Sequence, residues 1–201
     1  MSSSRRDGGV LVHAVGRLRG FFRRRRWLRP AGLVCLALLA ACAHADTARA
    51  PLRTVPVVDL DRYLGTWFEI ASYPQWFQRG CVASTATYSR MEDGRIRVLN
   101  ACRQGSLDGP PRQAEGVAWV AAGEATGARL LVQFFWPFRG DYWIIELDEE
   151  YRYAVVGHPS REYLWILSRT PRMDPALYVD LARRLALHGY DPGRLERTLQ
   201  P

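Results

Sequence analysis

The residues of this 201-residue chain with chemistry to offer are four cysteines, four histidines and scattered carboxylates. Their spacing limits what they can do. Serine hydrolysis calls for a nucleophile at a sharp strand-to-helix turn, and no G-x-S-x-G segment occurs. Zinc hydrolysis calls for two histidines on one helix face, and there is no H-E-x-x-H; a glycine-rich phosphate loop is also missing. Past the first 41 residues the histidines are His44, His158 and His188, far apart in sequence. A Ser-His-Asp set assembled from scattered residues stays open. The chain otherwise reads as a binding or structural protein, with no enzyme activity, cofactor or metal expected.

The formal charge of +8 suggests a polyanion, but its distribution argues otherwise. Residues 1–41 hold nine arginines against one acid, Asp7, while 19 basic and 19 acidic residues balance from Cys42 onward. The body therefore has no electrostatic reason to bind nucleic acid.

From Ala31 to Ala43 the run AGLVCLALLAACA is apolar or small and follows the cluster Arg23 to Arg26. A spanning helix needs about 20 such residues. A basic start, a short apolar core and small residues before a break read as a secretory signal, and Cys35 goes with it. Leu39-Ala40-Ala41-Cys42 resembles the bacterial lipobox, which implies cleavage before Cys42, lipidation of its sulfur and attachment to a membrane. An ordinary cleavage site beside a cysteine is the alternative. By the same resemblance Ala43, where Asp would retain the protein in the inner membrane, implies the outer membrane, facing the periplasm. Arg25-Arg26-Trp27-Leu28 loosely resembles a twin-arginine signal. The expected organisation is a signal at 1–41, a tether at 42–56 and one domain at 57–201.

That domain shows short β-prone runs broken by turn residues at regular spacing. Eight strands are expected: 66–73, 82–91, 95–102, 113–121, 128–136, 141–148, 152–157 and 163–168. Glu92-Asp93-Gly94, Gly123 to Gly127, Phe138-Arg139-Gly140 and His158-Pro159-Ser160 supply hairpin turns. Sequential hairpins give up-and-down order, and eight antiparallel strands remove their edges by closing into a barrel that holds side chains or one small ligand. After Pro171 the period changes. Asp174-Pro175 caps a helix in which Leu177, Leu181, Ala182 and Leu185 recur until Gly189, with Arg183 and Arg184 facing solvent. A last short strand is expected within 195–199. The fold class is all-β: an eight-stranded up-and-down barrel with one C-terminal helix on its wall.

Gly65-Thr66-Trp67 at the first strand resembles the lipocalin G-x-W signature, preceded by a short helical turn at 59–64. Glu149-Glu150-Tyr151-Arg152 matches the second lipocalin motif, and Arg169 after the eighth strand the third. The resemblance covers about 140 residues and implies that Arg169 packs across Trp67 at the closed end, a contact worth about 1 kcal/mol. Gly65-Thr66-Trp67-Phe68-Glu69-Ile70-Ala71, Ala86-Thr87-Tyr88-Ser89 and Trp165-Ile166-Leu167-Ser168-Arg169-Thr170-Pro171 are similar to the bacterial outer-membrane lipocalins and their apolipoprotein D relatives. Trp136 departs from that pattern, as does the pair Cys81 and Cys102.

Cys81 opens the second strand and Cys102 closes the third, so their ends meet, and export favours a disulfide worth about 3 kcal/mol. Free thiols or metal ligands are the alternative. Alternation from Trp67 places Glu69, Ala71 and Tyr73 on the inner face; alternation from Arg169 does so for Leu167 and Trp165. The same period nominates Tyr88, Asn100, Trp119, Phe134 and Tyr142. Glu69 is expected either to meet an ammonium head group or to pair with an arginine. Asp148, Glu149 and Glu150 read as solvated surface.

An aromatic interior suits an acyl chain. The leading expectation is an anchored carrier of fatty acids or lysophospholipids, for storage, transfer or repair of envelope lipids. The alternative is a structural lipoprotein with a side-chain-filled barrel. Exposed Trp76, Phe77 and Phe138 form an apolar patch suited to a homodimer or to a membrane.

Overall fold

The computed structural model describes residues 50–201; the signal segment, Cys42 and residues 42–49 of the expected tether lie outside it. Eight strands form: β1 Gly65–Ser72, β2 Cys81–Arg90, β3 Ile96–Gln104, β4 Pro111–Val120, β5 Arg129–Phe135, β6 Phe138–Leu147, β7 Tyr153–Gly157 and β8 Leu164–Ser168. Each pairs antiparallel with the next, and β1 pairs with both β8 and β2, so the sheet closes as expected. Closure between β1 and β2 is short, running from Gly65↔Tyr88 to Phe68↔Thr85. Beyond it a ninth strand, β9 Glu196–Arg197, takes β2's place against β1, opposite Ala71 and Ser72. The Thr198 N–H donates to the Ile70 carbonyl and the Ala83 N–H to the Leu199 carbonyl, so the C-terminal tail fills the seam.

The β5–β6 turn falls earlier than its glycine suggests. Phe138 to Gly140 are already strand, and Trp136-Pro137, joined by a cis peptide bond, make the turn. The short helix α1, Leu60–Tyr63, starts at Asp59, whose carboxylate accepts from the Asp61 and Arg62 N–H groups. The helix α2, Pro175–Leu187, starts at Asp174, which accepts from the Leu177 N–H. Leu181 and Leu185 are fully buried. Arg183 is exposed, whereas Arg184 turns back to Glu146 at 2.6 Å, because that flank of α2 lies over β6.

Two apolar clusters lie on opposite faces of the wall. Inside are Trp67, Tyr88, Val98, Ile144, Val156 and Leu167. Outside, Ile70, Ile145, Val155 and Ile166 meet Leu181 and Leu185. Neighbours such as Ile144 and Ile145 therefore divide between the two faces, which is why residues 142–145, β7 and β8 read as nearly unbroken apolar runs. Leu52 is buried in the outer cluster, and the Val55 N–H donates to the Ile144 carbonyl. The wall thus takes in residues that were expected to belong to the tether, because a large apolar side chain at 52 finds a dry site.

Candidate ligand-binding site

One end of the barrel is plugged by α1. The Trp67 indole N–H donates to the Tyr63 carbonyl at 2.8 Å, and the Arg169 guanidinium lies 3.8 Å from the Trp67 ring centroid. Arg169 also donates to the carbonyls of Arg62 at 2.8 Å and Thr66 at 3.1 Å, placing a cation at the C-terminal end of α1. Burial pulls its pKa down from the usual arginine value. Gly65 has φ +91°, and a Cβ there would lie 3.2 Å from Arg169 Nη1, so the motif glycine answers both a backbone and a space requirement. Tyr151 of the second motif accepts from the Asp59 N–H at 2.8 Å and packs 4.1 Å under the Arg62 guanidinium.

Asp148 is buried, a correction to its expected solvated role. It accepts from the N–H groups of Glu150 and Arg152 and from the Arg152 guanidinium at 2.7 and 2.8 Å. Those contacts hold its carboxyl below the usual aspartate range. Its work is to fix the turn between β6 and β7.

Above the plug the Tyr142 hydroxyl hydrogen-bonds those of Tyr63 and Tyr88, each at 2.8 Å. Burial raises all three pKa values, Tyr88 to about 12. The remaining space is an apolar cavity lined by Leu60, Ile96, Val98, Ala118, Leu130, Val132 and the three tyrosines. It offers about 10 Å³ to the centre of a water molecule, room for about one water. Toward the other end the lumen opens. Asn100 and Ala114, directly opposite each other on β3 and β4 and on the inner-face parity set by Val98, are exposed.

Of the residues expected to line a pocket, Tyr88 and Tyr142 do so. Phe134 and Trp165 pack on the inner cluster. Phe134 lies across Gly116, where an added Cβ would come within 2.8 Å of the ring. Two placements need correction. Ala71, with Tyr73, belongs to the outer cluster, because a bulge between Glu69 and Ala71 shifts the pairing with β8 and reverses the facing of the residues beyond it. Trp119 lies on the face of β4 opposite Ala118, and Ala118 lines the cavity. The tyrosine cluster leaves room for a methyl at that level and none for an indole. Trp136, which departs from the family pattern, is 86% exposed at the β5–β6 turn and stays outside the lumen.

Glu69 is buried but pairs with no arginine among the described residues. Its carboxylate accepts from Ser72 Oγ at 3.1 Å, Gln78 Nε2 at 2.7 Å and Thr198 Oγ1 at 2.6 Å. Gln78 Oε1 in turn accepts from the Trp165 indole N–H at 2.9 Å. Glu69 thus ties the β1–β2 loop and the C-terminal tail to the inner wall. Gln78 was not foreseen from the sequence, and neither was Tyr63, although the Asp59 cap marks the helix that delivers Tyr63.

Cys81 and Cys102 form a disulfide with Cα atoms 5.5 Å apart, joining the start of β2 to the end of β3 at the open end. A Ser-His-Asp grouping does assemble from Ser160, His158 and Asp141. His158 Nδ1, however, also accepts the Ser160 backbone N–H at 3.1 Å, and Asp141 stands 3.7 Å from Nε2. With the serine only two residues from the histidine, these contacts close the β7–β8 loop.

A family model described as a lipocalin-like domain matches residues 58–200. The outer membrane lipoprotein Blc of Escherichia coli (strain K12) is 41% identical over 172 residues, covering 84% of this chain and 96% of that protein. Apolipoprotein D of Mus musculus is 36% identical over 152 residues, covering 71% of this chain and 77% of that protein. Among solved structures, insecticyanin from the tobacco hornworm Manduca sexta superposes with a TM-score of 0.59 at 20% identity, over 73% of this chain and 83% of that one, a likeness of fold. A closed barrel whose three sequence motifs meet at Trp67 and Arg169, together with a family match spanning it, shows that the chain belongs to the lipocalin family.

Proposed function

We propose that this protein is a lipid carrier of the outer membrane, anchored through a lipidated Cys42 and facing the periplasm. It takes a fatty acid or lysophospholipid into the open half of its barrel, with no catalytic step. The observation that carries this reading is the lumen's asymmetry: apolar and narrowed to room for about one water up to Val98, and exposed beyond it at Asn100 and Ala114 on the inner face. Similarity to an outer membrane lipoprotein supports the location. Each buried methylene contributes about 0.8 kcal/mol, so a half-engulfed chain reaches micromolar affinity. The expected ligand contacts are Tyr88, Asn100, Phe134, Tyr142 and Trp165, with Glu69 setting the wall behind Trp165.

A second reading, a structural lipoprotein with a side-chain-filled barrel, is favoured by the hydrogen-bonded tyrosine cluster and the one-water cavity beneath it. Titration of tryptophan emission with lysophospholipids and fatty acids, alongside native mass spectrometry, separates the two. Saturable binding of about one lipid per chain that is lost in Trp165→Glu supports the carrier. Emission indifferent to every chain length supports the structural reading. Labelling with radioactive palmitate that disappears in Cys42→Ser tests the anchor.

A further inference from the structure

We propose that the open rim of the barrel is itself a membrane-docking surface, seating the mouth on an anionic lipid leaflet. All four loops at that end are connections of the same polarity in the up-and-down order: β1–β2, β3–β4, β5–β6 and β7–β8. They carry the aromatic side chains that the fold leaves most uncovered among the described residues. Trp76 is 78% exposed, and at the β5–β6 turn Phe135, Trp136 and Phe138 are 73%, 86% and 77% exposed. Four exposed aromatics on one rim are costly in water and suit the zone between head groups and acyl chains, where aromatic rings partition.

The charge at the two ends fits one occupant. Around the open rim Arg79, Arg103, Arg112, Arg139 and Arg194 are exposed, against the exposed acids Asp108, Glu162 and Asp191. At the plugged end the exposed acids Asp61, Glu92, Asp93, Glu149 and Glu150 are nearly balanced by exposed Arg62, Arg90, Arg95 and Arg152, with Arg90 paired to Asp61 and Arg95 to Asp93. An anionic surface therefore finds its net positive partner at the rim and not at the plug. A second copy presenting the same rim face to face would bring basic edges together.

The chain's course adds an independent argument. Ala50, the first described residue, presents its carbonyl to Arg161 Nη2 at 2.7 Å, in the β7–β8 loop of this same rim. Eight peptide steps lead from Cys42 to Ala50, a reach of at most about 29 Å. The chain therefore joins the described fold at the rim, and a tether from Cys42 attaches there. The inference rests on the proposed anchor only for this reach. From Trp76 a train of rings leads inward, with centroids of Phe77 at 5.6 Å, Tyr163 a further 6.5 Å on and Trp165 6.2 Å beyond. A docked rim would offer a lipid an apolar path to Trp165 that avoids water.

The test uses the full chain on vesicles of phosphatidylethanolamine and phosphatidylglycerol, with plain or brominated acyl chains. Bromine quenching of tryptophan emission is expected to be strong, and most of it is expected to be lost in Trp76→Phe/Trp136→Phe, which leaves the interior untouched. Trp136→Asp/Phe138→Asp is expected to remove the hydrogen-exchange protection that vesicles give residues 135–139. Equal quenching with and without the two rim tryptophans overturns the proposal. So does rim protection that tracks protein density instead of lipid, the signature of a second copy. Lysophospholipid titration of Trp76→Phe/Trp136→Phe reports the carrier reading separately, so docking and lumen binding can fail independently.

Discussion

Arg169 covers the face of Trp67 at 3.8 Å while donating to the carbonyls of Arg62 and Thr66, so one side chain joins β8, α1 and the first strand. Replacing it with Met keeps the length and removes the charge and the donors. Arg169→Met is expected to lose about 2–3 kcal/mol, since the ring contact and two charge-assisted hydrogen bonds go together. Urea unfolding measures this loss. Gly65→Ala should cost at least about 1 kcal/mol in the same assay, because φ +91° is unfavourable for alanine and its Cβ crowds Arg169.

The tyrosine cluster predicts an alkaline limit. The Tyr88 hydroxyl is held protonated by burial, with its pKa at about 12. A folded-state pKa raised above the ordinary value of 10.0 means that this contribution to stability is fully present below pH 10.0 and is lost as pH rises toward about 12. Tyrosinate absorbance from Tyr88 in the folded protein should lag that of an exposed tyrosine, rising only toward about pH 12. Tyr88→Phe should remove that component at a cost of about 1 kcal/mol at neutral pH.

Asp148 predicts the acid side. Its pKa lies below the ordinary 3.8, so the stability it contributes is present above pH 3.8 and is lost as pH falls through the lower folded-state value. Asp148→Asn should flatten the acid limb of the stability curve. It should also free the β6–β7 turn, seen as faster amide exchange at Glu150 and Arg152, whose N–H groups Asp148 accepts.

Removing the disulfide should cost about 3 kcal/mol, because the bond closes a loop across 21 positions in the unfolded chain. Cys81→Ser/Cys102→Ser should lower the urea midpoint. Its expected effect on exchange is local, at the start of β2 and the end of β3, with the plug around Trp67 unaltered.

Much of this protein is legible in its sequence. Gly65-Thr66-Trp67 and Arg169 mark the plug, the turn glycines divide the strands, and Asp174-Pro175 marks the helix start. These are local requirements of φ, hydrogen bonding and period, written in adjacent residues. Facing is less legible. A strand's inner and outer faces are set by counting in twos, and the bulge after Glu69, which no residue type announces, puts Ala71 on the outer wall. Trp119 and Ala118 are equally eligible for the lumen by alternation. Only the space left by three tyrosines from α1, β2 and β6 decides for the alanine. The partners of Glu69 come from Ser72, Gln78 and Thr198, so its role is fixed when the C-terminal tail fills the seam between β1 and β2. The sequence alone pointed to a closed barrel and favoured the disulfide, because both rest on neighbouring residues or on strand ends that must meet, and its resemblance to lipocalins implied the plug. The tertiary structure alone decided what faces the lumen and how deep it runs, because those depend on volumes brought together from distant parts of the chain.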